Sequence, residues 1–245
     1  MKITFIAHSA FLVEWDKFYT LFDYVYEPDY TGTLPPLDPQ KPLLVFSSHS
    51  HEDHFDGKVF GLLEQYPLTQ FFVSRDTRLT ERRRKWLGIS DEAFARTTVL
   101  RPDSILLTEA AGEELSVRAI KSTDIGNAYL LRAEGKMVYH GGDLNWWHWE
   151  GEAPGWNRNM EVDFKRYAEP LRGRAIDLAM LPLDPRLGED GFRGPRYFLE
   201  LADIRRFLPM HQWGDFALTE RFLARHPQWA DRVVPITAEG QQFTF

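Results

Sequence analysis

Apolar residues in the first 25 positions recur in short clusters. Ile3, Phe5 and Ile6 come first, then Phe11, Leu12 and Val13, then Phe18, Tyr19, Leu21 and Phe22, with Glu14, Asp16 and Lys17 as a polar break. Clusters of this length, rich in aromatic and β-branched residues, predict strands, here an antiparallel meander. Residues 24–42 carry Pro28, Pro35, Pro36, Pro39 and Pro42, which break helix and ladder alike and predict a long surface loop. Loops of that length in compact domains usually form functional rims or lids. A short apolar strand over 43–46 then leads straight into SSHSHEDHFDG.

Further along, the pattern predicts a helix over 58–66, a strand over 70–73 and a polar helix over 77–86. Strands are expected at 104–108, 115–120, 128–133 and 137–140. Val162, Phe164, Tyr167, Ala168 and Leu171 form a stripe at helical spacing, which predicts a helix over 160–171. A buried strand over 176–181, helices over 197–207 and 216–225 and a last strand over 232–235 complete the reading. A β-rich half is thus followed by a β/α half, with no linker composition between them and no fixed-period repeat. One domain over 1–245 is expected.

Composition narrows the function classes. The chain has 245 residues, 43% hydrophobic and 14% aromatic, enough apolar surface to exclude a disordered or collagen-like protein. Its 29 Lys and Arg against 36 Asp and Glu leave a net charge of −7, which disfavours binding to nucleic acid or anionic membranes. The run Glu81-Arg82-Arg83-Arg84-Lys85 is the one local exception, and a charge run on a surface helix is ordinarily a solvated face. There is no cysteine, so disulfides, thiolate nucleophiles and thiolate ligands are excluded, and any metal must be held by nitrogen and oxygen. The amino terminus lacks the basic-then-apolar pattern of a secretory leader, and no segment approaches the roughly 20 apolar residues that span a bilayer. A soluble, cytoplasmic protein is expected; a homo-oligomer stays open.

Three of the eight histidines fall within six positions, as His49-Ser50-His51-Glu52-Asp53-His54. Following a buried-type strand, the segment belongs on a strand-to-helix loop, where closely spaced side chains converge. Imidazole and carboxylate suit zinc, manganese or iron. No GxGxxG phosphate loop and no GxSxG nucleophile elbow competes.

On this motif the chain resembles the metallo-β-lactamase fold superfamily of metal-dependent hydrolases. It is most similar to the branch that includes ascorbate-6-phosphate lactonase and N-acyl-phosphatidylethanolamine phospholipase. HSAFLVEWDKFYTLFDY, VYHGGDLN and FLPMHQWGD continue the likeness in order along most of the chain. The resemblance implies a four-layer αββα sandwich in the α/β (α+β) class, with one or two divalent ions, zinc first and manganese or iron as alternatives. By position, His49 and His51 hold a first ion, Asp53, His54 and His211 a second, and Asp143 bridges them. The usual third imidazole of the first position is missing from the loop Lys121-Ser122-Thr123-Asp124-Ile125-Gly126-Asn127; Asp124 either replaces it or is a turn residue. His8, His140 and His148 are reserve candidates. Metal-activated hydroxide would attack an ester, lactone or phosphoester bond of a small anionic metabolite, with Asp53 as the catalytic proton carrier. A nuclease or phosphodiesterase and a non-catalytic metal-binding module are the alternatives. A di-iron oxygen-reducing role is disfavoured because the motif's second position is His51 rather than a carboxylate. Trp146, Trp147, Trp149 and Trp156 either wall a pocket or pack the core, and Arg186, in Leu183-Asp184-Pro185-Arg186, either clamps an anion or pairs with Asp184.

Overall fold

The computed structural model describes residues 1–245. The meander forms as expected: β1 (Lys2–Ala7), β2 (Ala10–Glu14) and β3 (Tyr19–Phe22) pair antiparallel. Beside β3 lie three parallel strands, β4 (Leu43–Ser47), β5 (Thr69–Ser74) and β6 (Thr97–Leu100). A second sheet begins with antiparallel β7 (Ile105–Ala110), β8 (Glu113–Lys121), β9 (Asn127–Ala133) and β10 (Lys136–His140). After β11 (Ala175–Ile176) come β12 (Leu178–Pro182), β13 (Asp203–Ile204) and β14 (Phe207–Met210). β12 and β14 continue the second sheet in parallel, β11 pairs with β13, and β15 (Gln242–Thr244) closes the first sheet against β1. The result is a seven-stranded and a six-stranded sheet plus a two-stranded ribbon.

Three apolar clusters define four layers. Phe11, Phe22, Phe46 and Phe72 of the first sheet meet Val117, Tyr129, Leu131 and Met180 of the second in the central core. The outer face of the second sheet is covered by helices at Pro154–Ala168, Arg193–Leu201 and Leu218–Arg225, through Phe164, Phe198 and Phe222. The outer face of the first sheet is covered by short helical pieces between Gly57 and Ala95, through Phe60, Leu63 and Ala93. This is the αββα sandwich. No helix is long and apolar enough to cross a membrane.

Several boundaries differ from the sequence reading. The helix expected over 197–207 spans Arg193–Leu201 and gives way to β13 and β14, because Ile204, Phe207 and Leu208 are buried strand positions; short apolar runs do not distinguish the two states. The helix over 160–171 begins earlier, at Pro154, a residue suited to a first helical turn, and its end is a separate turn at Glu169–Leu171. The polar helix begins at Glu81 rather than 77, since Arg78 is left-handed (φ 48°) and Thr80 Oγ1 accepts from Arg83 N. At 232–235 there is only a single bridge, between Phe207 and Val233, and the true last strand is β15. The helix Asp91–Ala95 and strand β6 had no counterpart in the expected order.

Candidate metal centre

The parallel strands end on one edge of the sandwich, and the loops leaving them carry the chemistry, as is general for open α/β sheets. β4 is buried throughout and ends at Ser47, so the histidine loop starts on a rigid base. Ser48 N and Oγ both donate to the carboxylate of Asp23, at the end of β3, at 2.7 Å, and Ser50 N donates to Asp76 at 2.7 Å. His54 N and Phe55 N donate back to His51 O, winding 51–55 into a turn that points its side chains one way. The loop before β9 presses on the base from the other sheet: Asn127 N donates to Ser48 O. Gly126 makes that approach feasible, with φ 75°, and a Cβ there would lie 2.3 Å from Ser48 O.

All seven candidate positions converge, in two groups within each of which the possible ligand atoms lie within 4.8 Å of one another. His49, His51, Asp124 and Asp143 form one. His49 Nε2 is 3.1 Å from His51 Nδ1 and 3.6 Å from Asp143 Oδ2, and His51 Nδ1 is 3.3 Å from Asp124 Oδ2. Asp53, His54 and His211 form the other, joined by His8, a residue the motif did not include. Asp53 Oδ2 is 3.2 Å from His8 Nε2 and 3.4 Å from both His54 Nε2 and His211 Nε2. Asp143 belongs to both neighbourhoods, since its Oδ1 is 3.2 Å from His54 Nε2 and 3.6 Å from His211 Nε2. These three atoms are buried and make no directed hydrogen bond, which is costly unless their lone pairs meet a cation. The donor set, all nitrogen and carboxylate oxygen, therefore fits a divalent metal.

Outer carboxylates orient the imidazoles. His54 Nδ1 lies 2.7 Å from Asp23 Oδ2, and His211 Nδ1 lies 2.8 Å from Asp184 Oδ2, leaving each Nε2 to face the cluster. His49 Nδ1 meets Ser48 Oγ at 2.9 Å. His8, Asp23 and His211 all have positive φ (47°, 46° and 63°), a conformation that costs free energy in non-glycine residues and gathers at functional sites.

Burial pushes the imidazoles of His49 and His8 down to about 4, so both are neutral at pH 7. Burial also opposes charge on His211 and His54, but Asp143, Asp184 and Asp53 bring His211 up to about 9, and Asp143 with Asp23 raises His54. Burial would raise the carboxyls of Asp53 and Asp143, yet the surrounding imidazoles outweigh it and hold both well below the usual range. Asp124 goes the other way: burial first, then the Asp143 charge, raises it.

The reserve histidines separate. His140 stacks on Phe22 and bonds Ser9 O at 2.9 Å, and His148 is 3.9 Å from Asp190, so neither reaches the cluster. Trp146 packs into the outer core with Phe164. Trp147 Nε1 donates to Asp143 O at 2.9 Å, its ring lies 5.8 Å from His211, and Trp149 stacks on it. Trp213 and Tyr30 flank His8 at 4.9 and 5.1 Å. Sequence reasoning missed Asp23 and Asp184 as orienting groups. The available signal was weak: a carboxylate one or two residues beyond a buried strand.

The architecture, two facing sheets under helices, is the metallo-β-lactamase fold: the chain superposes over 99% of its length on the metallo-β-lactamase fold protein YhfI from Bacillus subtilis, with a TM-score of 0.55, 12% identity and 98% of that chain covered. The chain superposes over its whole length on Igni18, described as a novel metallo hydrolase from Ignicoccus hospitalis, with a TM-score of 0.65, 20% identity and 98% of that chain covered. In sequence it is similar to two proteins named UPF0173 metal-dependent hydrolase. The one from Opitutus terrae is 29% identical over 225 residues and the one from Desulforamulus reducens 26% over 221, each covering 86% of this chain and 84% of the relative. No family model matches.

Proposed function

We propose that this chain is a metal-dependent hydrolase that cleaves an ester, lactone or phosphoester bond of a small anionic metabolite, working as one domain over 1–245. The observation that carries it is the convergence of His54 Nε2, His211 Nε2 and Asp143 Oδ1, buried and without directed hydrogen bonds, beside Asp53 Oδ2. His49, His51 and Asp124 would hold one ion, Asp53, His54 and His211 another, with Asp143 between them and His8 against Asp53. When bound, one or two divalent ions, zinc first and manganese or iron as alternatives, would supply a water acidified to near neutrality and a positive charge for the developing oxyanion.

The chain's own groups do the rest. Asp53 Oδ2, with three imidazoles around it, would take the nucleophile's proton and pass it to the leaving group. Asp23 and Asp184 hold two imidazoles in the orientation that keeps Nε2 inward. Trp147 lies against His211 with Trp149 stacked on it, and Trp213 and Tyr30 lie against His8, so aromatic surface beside the cluster would limit water and strengthen electrostatic contacts there. The nuclease alternative draws no support from residues 81–85: Arg84 is spent on Glu81 and Asp91, and the helix is a solvated face.

Metal analysis of the purified protein, beside His54→Ala, tests the reading together with a panel of ester, lactone and phosphodiester substrates. The wild type should carry at least one ion per chain and hydrolyse one class. His54→Ala should lose that ion and about 10³-fold or more of the activity. Wild type that holds metal but cleaves nothing would favour the non-catalytic module, and metal content untouched by His54→Ala would sink the site.

A further inference from the structure

Arg186 lies just outside the cluster and is tied to it through one buried carboxylate. Its Nε donates to both oxygens of Asp184 at 3.0 Å and its Nη2 to Oδ2 at 2.6 Å, while the same Oδ2 meets His211 Nδ1. The Asp184 side chain is fully buried, whereas that of Arg186 is 45% exposed. Two indoles flank the guanidinium, Trp213 with its ring centre at 4.6 Å and Trp149 at 5.6 Å. One edge of the fork is therefore fixed, its surroundings are aromatic, and Nη1 makes no hydrogen bond within the protein. Burial opposes its charge, while Asp184 first and then Asp143 and Asp53 favour it and hold the guanidinium above its ordinary value.

This differs from an ordinary surface pair such as Arg172 with Glu169, where both partners are more than half exposed and nothing links them to a site. A guanidinium whose charge, plane and position are set in advance, with one edge uncommitted, is suited to binding an oxyanion through paired hydrogen bonds. We propose that Arg186 binds the anionic group of the substrate, a phosphate or a carboxylate, at the rim of the cleft, and so fixes which bond lies over the cluster. The inference rests on the hydrolase reading and adds a specificity-determining residue to it.

The test is calorimetric titration of the metal-loaded protein with inorganic phosphate and, separately, with acetate, in wild type, Arg186→Gln and Arg186→Lys, with metal per chain measured in each. A charge-assisted contact is worth about 1.5–3 kcal/mol, so Arg186→Gln should weaken binding of one anion about 10-fold to 100-fold at unchanged metal content. Arg186→Lys, which keeps the charge but loses the fork, should fall between. A larger loss with phosphate identifies the group as phosphate, and a larger loss with acetate as carboxylate. Equal affinities in all three proteins, or no binding of either anion by metal-loaded wild type, would overturn the proposal. If Arg186→Gln sheds metal because Asp184 loses its partner, the comparison passes to Arg186→Lys, where unchanged anion affinity overturns it in the same way. Wild type without metal would instead defeat the hydrolase reading, and the metal analysis reports that separately.

Discussion

The two halves of the cluster are built differently. Around Asp53, the imidazoles of His54 and His211 are buried and each is fixed from behind by a buried carboxylate, Asp23 or Asp184. Around His49, only that histidine and Asp143 are buried; the side chains of His51 and Asp124 are 49% and 37% exposed, and neither has an outer carboxylate behind it. The first half is set in advance by the fold. The second is completed by two side chains that still have freedom to move. The two halves should therefore respond oppositely to mutation: the inner one should fail together with the fold, the outer one without it.

Asp23→Ala should give the largest effect. Asp23 is buried and receives Ser48 N, Ser48 Oγ and His54 Nδ1, so its loss strands several polar groups and frees the imidazole of His54, a candidate ligand. Breaking one side of such a buried network costs about 3–5 kcal/mol. Loss of an outer partner also weakens metal binding about 10-fold to 100-fold. Denaturant unfolding and metal titration check the two parts, and a variant with wild-type stability would break the contrast between the halves.

Gly126→Ala comes next. The new methyl would meet Ser48 O at 2.3 Å in a left-handed conformation, so the loop must move away from the His49 base. A cost of about 1–3 kcal/mol is expected. Because Asp124 rides on the same loop, metal held at the proposed His49 group should weaken more than metal held at the Asp53 group. Competition with a chelator, read as two separate release steps, would show whether the order holds.

The same division explains what could be read from the chain. The segment from His49 to His54 was legible because its candidate ligands are close in sequence, and β4 because its five positions are all buried. Asp143 and His211 were placed only through the family likeness, since a lone Asp after Gly-Gly or a lone His at a strand end has no spacing of its own. Asp23, Asp184 and His8 act across 31, 27 and 45 residues of chain on His54, His211 and Asp53, and contacts of that range leave no local pattern. The layers were legible for the opposite reason: short apolar strands and a β/α second half restrict the architectures available. Where the chain was read as helix through 207, β14 (Phe207–Met210) lacks the alternation that marks a half-exposed strand because all four of its positions are buried, and β13 is only two residues long.

Asp124→Ala should have the smallest effect on the fold and the most selective effect on the site. Burial and the neighbouring Asp143 raise its carboxyl, so the ionised form is less favourable in the folded chain than in the unfolded one. A raised carboxyl contributes no stability at neutral pH, and the unfavourable contribution grows as pH rises through the unfolded value and levels off above the folded one. Without metal, Asp124→Ala should therefore melt at or slightly above the wild-type temperature near pH 7. On the proposed two-ion reading the sign reverses with metal, because the charge that repelled Asp143 would neutralise a cation, and an ion at the His49 group should bind about tenfold more weakly while one at the Asp53 group is unchanged. Melting curves with and without chelator, alongside metal per chain, give both signs in one experiment. A variant that is less stable without metal, yet keeps both ions at wild-type affinity, would make Asp124 a turn residue and leave the outer half with only His49, His51 and Asp143.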